Sequence, residues 1–339
     1  MSRALSNPPG AARAQPSSTE VARLAGVSQS TVSRVFSAGA AVSPAVRDRV
    51  MKAAEALNYR PNALPAILQT GRSGIIAVVV GGFYNPFFTE FLRCVTAALR
   101  ERRLEIMLVD TASDDNLNDI VGELSRYRID GVISAMAIHS TRVAKKLESA
   151  GIPIVAVNSK RVGGMRTVST DNRAAGGAAA DVLVDAGCRD IAYFAGRDSQ
   201  AQAERERGFL KRLSDRGMPE PQRALAGFTY EEGYAAAVEC FSGRSRPDGI
   251  FCVNDLVAIG VMDALRKEFG LDVPGDVQIV GFDDIPMAGW RGYELTTFHQ
   301  DMDALARGCV DLLADAPADT RTTVPCRLVV RETTRNRAR

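Results

Sequence analysis

The chain has 339 residues, more than one hydrophobic core usually organises, so two or three domains are expected. Hydrophobic residues are 46% and charged residues 24%, the balance of an ordinary globular protein, and no apolar run approaches the ~20 residues of a membrane helix. The formal net charge of +2 is unevenly spread: nine Lys/Arg against three acids give residues 1–73 a charge of +6, and 33 basic against 37 acidic residues leave the remainder at −4.

A basic head on a mildly acidic body points to a polyanion partner for the head alone. Residues 1–16 contain Pro and Ala and lack the apolar core of a secretion signal. They read as a disordered tail on a chain that stays in the cytoplasm. The six cysteines lie far apart with no C-x-x-C pair, as buried thiols in a reducing compartment would. With His139 and His299 the only histidines, no metal site is expected, and no cofactor is called for.

Residues 17–60 carry three helical patterns. Ser17 and Glu20 have the capping-box spacing, and Val21, Ala22, Leu24 and Ala25 follow as an apolar stripe. Gly26 allows a sharp turn that Val27 can plug. Ser28 can cap a second helix, 29–36, with Val32, Val35 and Phe36 inward and Gln29, Ser30, Ser33 and Arg34 outward. Thr31 lies near the start of that helix. Ser43 followed by Pro44 marks the start of a third helix that runs to Leu57. Two short helices joined by a Gly turn and braced by a third form a helix-turn-helix module. The short or amide-bearing side chains of 29–36 suit the major groove, where Arg34 can fork onto guanine or grip a phosphate.

The runs EVARLAGVSQSTVSRVF and VSPAVRDRVMKAAEALNYRPNAL closely resemble the DNA-binding head of the lac/gal repressor (LacI/GalR) family of bacterial transcription regulators. The resemblance implies that Gln29 and Ser30 read base edges. It also implies that Thr31, Ser33 and Arg34 contact bases and phosphates, that Tyr59 makes a helix-to-hinge phosphate contact, and that Ser28 and Asn62 join the DNA-binding surface. Residues 61–73 would be a hinge that folds on specific DNA, pairs with its dimer mate and wedges Leu68 into the minor groove. Pro65 and Ala66 depart from the family pattern, so that hinge helix is expected to start late.

Residues 74–339 alternate β-branched runs with helical stretches. Strands are predicted at Ile75–Val80, Glu105–Val109, Gly131–Ser134, Ile154–Val157, Ile191–Phe194, Ile250–Val253 and Val277–Phe282, and helices at 88–102, 174–186, 202–214 and 255–269. This alternation predicts an α/β body of doubly wound parallel sheets in two lobes, with ligands beyond the carboxyl ends of the strands. Tyr84, Asn85, Phe87, Phe88, Asn158, Asp171, Asn254 and Asp283 lie at such ends.

The motifs YNPFF, STDN, CVNDLVAIG and VGFDDIP match the same family, whose body looks like a periplasmic-binding-protein fold. The implied lobes are 74–163 with 294–317, and 164–293 with 318–339. By the resemblance Phe87 and Phe88 border the effector cleft, while Arg205, Asn254 and Asp283 bind the effector. Asn158 replaces a common Asp. Other readings stay open. The two phenylalanines could be core, Asp255 could cap helix 255–269, and Arg205 could pair with Glu204 or Glu206. Trp290 could sit at the cleft mouth or in the core.

The resulting expectation is a homodimeric, non-enzymatic repressor that binds a near-palindromic double-stranded operator under control of a small molecule, most often a sugar. A solute-binding or sensor protein without a DNA role is the alternative. An enzyme is least favoured, because the chain carries no G-x-G-x-x-G after a strand, no P-loop and no G-x-S-x-G elbow.

Overall fold

The computed structural model describes residues 16–36, 41–60, 71–81, 83–111, 127–136, 141–160, 163–197, 199–243 and 246–335. It divides into two compact units, Met1–Gly71 and Arg72–Arg339. The tail 1–15 and the hinge positions Asn62, Pro65, Ala66 and Leu68 lie outside the described residues.

The first unit contains α1 (Ser18–Ala25), α2 (Gln29–Phe36) and α3 (Pro44–Ala56). Ser17 and Glu20 form the reciprocal capping box, and Gly26 closes α1 in the left-handed conformation at φ 64°. Eight-residue helices are marginal alone. Packing stabilises them here: Val21, Ala22, Ala25, Val32, Val35, Val50, Ala53 and Ala54 form one core, with Val27 packed against it. Arg47 donates to the Val35 carbonyl at 2.9 Å and so satisfies the end of α2. Ser43 precedes α3 in extended backbone with Pro44 at the first helical position, but its hydroxyl makes no capping bond.

The second unit is built on two parallel sheets. The first contains β1 (Ile75–Val80), β2 (Glu105–Asp110), β3 (Gly131–Ser134), β4 (Ile154–Val157), β5 (Arg166–Thr170) and β11 (Arg321–Val324), in the order β11-β5-β4-β3-β1-β2. The second contains β6 (Ile191–Ala195), β7 (Gln222–Leu225), β8 (Gly249–Cys252) and β9 (Gln278–Val280), in the order β7-β6-β8-β9. β10 (Thr297–Gln300) and β12 (Cys326–Val329) pair antiparallel. Around the first sheet lie α4 (Pro86–Glu101), α5 (Thr141–Ser149) and α10 (Met302–Asp315). Around the second lie α6 (Asn172–Asp185), α7 (Gln200–Asp215), α8 (Tyr230–Ser242) and α9 (Asp255–Phe269). No described helix is long and apolar enough to cross a membrane.

The lobe boundaries differ from the expected ones. β5 pairs with β4 (Ala156 opposite Thr167) and β11 pairs with β5 (Arg321 opposite Thr167), so 166–170 and 321–324 belong to the first sheet. β10 bridges the second lobe at Val280↔Thr296 and Asp283↔His299, so the chain returns to the first lobe after Gln300 rather than at 294. The polar RTVST and RTTV segments lack the apolar run that identifies a buried parallel strand. Only pairing with a neighbour makes them strands.

Two glycines bring α6 and α7 into backbone contact. A Cβ on Gly176 would lie 2.0 Å from the Arg205 carbonyl oxygen, and one on Gly208 would lie 2.0 Å from that of Arg173. This close crossing fixes the axis from which Arg205 reaches inward.

Candidate nucleic-acid interface and effector site

On α2, Gln29, Ser30, Ser33 and Arg34 are exposed and Thr31 is half-buried. The Ser28 hydroxyl accepts the Thr31 N–H at 3.2 Å and lies 2.8 Å from both the Ser30 and Thr31 hydroxyls, so Ser28 organises the start of this helix. Gln29 donates to the Ser18 hydroxyl at 2.9 Å, tying α2 to α1. Arg34 has no hydrogen-bond or ion-pair partner among the described residues. Tyr59 packs its ring on Phe36 with centroids 5.8 Å apart. The result is a small-residue ridge with one uncommitted guanidinium, a shape and chemistry suited to a groove edge.

In the body, parallel strands bring their carboxyl ends together. Asn158 follows β4, Asp171 and Asn172 follow β5, Asn254 follows β8, and Asp283 follows β9. Three residues at these ends hold positive φ: Asn158 at 51°, Asp283 at 118° and Asp284 at 56°. Such strain persists only where the surroundings impose it, and it clusters at sites.

The side chains form one network. Asn158 Oδ1 accepts the Thr170 N–H at 2.9 Å and the Asn172 amide at 3.3 Å. Arg205 Nε donates to Asn172 Oδ1 at 2.7 Å, its Nη1 donates to the Val253 carbonyl, and its guanidinium lies 3.6 Å above the Phe282 ring. Gln300 donates to Asp283 Oδ1 at 2.7 Å and accepts from the Thr170 hydroxyl at 2.5 Å. Two further contacts cross between lobes. Asn85, while capping α4, lowers the Asp283 carboxyl from across the cleft, and the Tyr84 hydroxyl donates to Glu231 at 2.9 Å.

Burial dominates the electrostatics. It pushes the Asp283 carboxyl up to about 6, against the opposing pull of Arg205. The Asp255 carboxyl is pushed up to about 7, first by burial and then by Asp283. Burial lowers Arg205, and Asp283 counteracts it. Asp255 accepts from the Thr297 hydroxyl at 2.6 Å and the Ile285 N–H at 2.9 Å. Because the folded state binds the Asp255 proton more tightly than the unfolded chain, its contribution to stability is complete below about pH 4 and lost as pH rises through about 7. The unfolding temperature of the native chain relative to Asp255→Asn is therefore expected to fall between pH 5 and 8. A difference that stays constant over that range would show that Asp255 is ionised throughout.

Several expected roles change on this map. Asn254, not Asp255, caps α9: its Oδ1 accepts the Val257 N–H at 2.9 Å while its amide donates to the Phe228 carbonyl at 3.0 Å. Phe87 is buried in the core of the first lobe, stacked on Phe91, with Phe88 edge-on beside it. Trp290 is 58% exposed and so is not core. Arg205 does not pair along its own helix, since Glu204 binds Arg207 and Glu206 binds Arg223. Gln300, Thr170 and Glu231 join the network without having been expected at the site. Gln300 ends the LTTFHQ run, whose polar residues gave the only sequence signal.

A pocket of about 350 Å³ opens beside the network, within the size range of small-molecule sites. Asn158 and Asp171 line it, together with Thr170, Asn172, Gln200 and Glu204. Tyr84, Asn85, Phe87, Phe88, Asn254, Asp283 and Trp290 do not, and Arg205 reaches its wall only through Asn172.

A three-helix head with a groove-suited second helix, preceding a two-lobed parallel-sheet body with a polar interlobe pocket, defines a ligand-responsive DNA-binding regulator. Residues 19–62 match the family model for bacterial regulatory proteins of the lacI family, and residues 180–334 match the periplasmic binding protein-like domain. The chain is 32% identical over 332 residues to the HTH-type transcriptional regulator CelR of Thermobifida fusca, covering 94% of this chain and 96% of that protein. It is 31% identical over 301 residues to the ribose operon repressor of Escherichia coli (strain K12), covering 87% and 91%. A solved structure of a CelR–cellobiose complex superposes with a TM-score of 0.71 at 30% identity, covering 94% and 99%. The chain belongs to the lacI family of bacterial regulatory proteins, a family of transcriptional regulators and not of enzymes.

Proposed function

We propose that this chain is a cytoplasmic, homodimeric repressor whose grip on a near-palindromic operator is governed by a sugar bound between its two lobes. Two heads would occupy successive major-groove faces, with half-sites about one helical turn apart. Phosphate contacts would set position, and Gln29, Ser30, Thr31, Ser33 and Arg34 would set sequence. In the body, Asn158 and Asp171 would hold the effector while Arg205 anchors the Asn172 wall of the pocket, and the hinge residues Asn62 and Leu68 would carry the change in lobe angle to the DNA. Affinities for effector and operator are then reciprocally coupled. Relatives named for ribose and crystallised with cellobiose support a sugar.

The observation that carries this reading is the hydrogen-bonded network joining Asn158 and Thr170 of one lobe to Arg205 and Asp283 of the other through Asn172 and Gln300, because a ligand among those groups must change how the lobes meet. The test selects genomic fragments bound by the purified chain. It then compares a selected duplex with a scrambled one at moderate ionic strength, with and without sugars. A clear preference that a sugar changes is expected. Equal binding to both duplexes would refute a sequence-specific regulator.

A further inference from the structure

We propose that the effector is an anionic sugar, phosphorylated or acidic, whose charged group is held between Arg173 of one lobe and Arg321 of the other. This rests on the reading that a small molecule binds between the lobes. Arg321 projects from β11 at the edge of the first sheet, and Arg173 stands in the first turn of α6, which packs on the second. Both line the 350 Å³ pocket, both are exposed, and neither has a partner among the described residues.

Of the two acids lining the same space, only Glu204 is paired with a cation. Asp171 accepts the Ala174 N–H and caps α6, while Glu204 is ion-paired with Arg207 and accepts from Gln200 at 2.9 Å. Two unpaired arginines line the cavity against one carboxylate without a cation partner, Asp171, so the pocket keeps a net positive charge that attracts a ligand anion. Ser169 and Thr323 add hydroxyls, and no aromatic side chain is among the described residues lining the pocket. A flat nucleobase would find no stacking partner there, whereas a polyol finds donors and acceptors on every wall. Because the two arginines come from different lobes, one anion bound between them is attracted to both and draws the lobes together.

The test uses the full chain and matched sets of aldoses, their terminal phosphates and their uronic or aldonic acids, with inorganic phosphate alone as a further arm. Thermal shift finds the binders and calorimetry measures their affinities. The tightest binder is expected to be a phosphate or an acid, the two arms separating these sources. Arg173→Gln and Arg321→Gln should each weaken it at least tenfold while leaving the parent neutral sugar within twofold. A neutral sugar binding more tightly than its anionic partners, inorganic phosphate binding as tightly as any sugar, or arginine variants binding the anion like the native chain would overturn the proposal. A neutral sugar that also shifts operator affinity would leave the interlobe-effector reading standing. No response to any compound, with operator binding intact, would remove both.

Discussion

Replacing Arg34 with alanine is expected to lower affinity for a selected operator duplex by roughly 5- to 150-fold, the effect of losing one bidentate base contact of about 1–3 kcal/mol. The argument is positional. Arg34 is exposed on α2 and has no partner among the described residues, while Val32 and Val35 on the opposite side of that helix are buried in the head core. Its removal should therefore leave the unfolding temperature unchanged. Two outcomes separate its roles. If Arg34 reads a base, binding to the scrambled duplex changes little and discrimination collapses. If it grips a phosphate, both duplexes weaken in parallel and the salt dependence becomes shallower by about one counterion. Unchanged affinity for both would remove Arg34 from the interface.

Arg205→Ala should have the largest effect on the body. The side chain is only 6% exposed, bonded to Asn172 and the Val253 carbonyl, and stacked over Phe282. Its loss opens a cavity, leaves two polar partners without their donor, and removes the cation that holds down the Asp283 carboxyl. Emptying a large buried site and orphaning its hydrogen-bond partners costs about 3–5 kcal/mol. For a unit of this size that corresponds to an unfolding temperature lower by roughly 5–15 °C. Effector response should be lost even at temperatures where the body stays folded, because the Asn158–Asn172 wall of the pocket is no longer anchored. Arg205→Lys keeps the charge without the planar fork and should fall between the two. Operator binding without effector should persist, since the Arg34 face belongs to a separate compact unit. An alanine variant with native stability and a normal response would make Arg205 a surface residue in effect.

The head was legible because its signals are local. A capping box, a Gly in left-handed backbone, a Pro at the first helical position and apolar residues at 3.6 spacing each constrain a few neighbouring residues. The strands Ile75–Val80 and Gly131–Ser134 stood out for a related reason: a parallel strand buried on both faces must be continuously apolar. β5 and β11 did not, because RTVST and RTTV are polar and short. β5 is a strand only because β4 offers an edge, and β11 only because β5 does.

The amino-acid order by itself determined the helix-turn-helix head, the alternating body and the placement of polar residues after strands, since all of these follow from period, caps and breakers within a dozen residues. Only the tertiary structure decided that β5 and β11 both join the first sheet, that Asn254 caps α9 and Phe87 packs in the core while Gln300 bonds to Asp283 and Thr170, and that Arg173 and Arg321 line one pocket. These depend on contacts between residues tens to hundreds of positions apart, and no local pattern records which distant groups will satisfy a buried amide or face a charge.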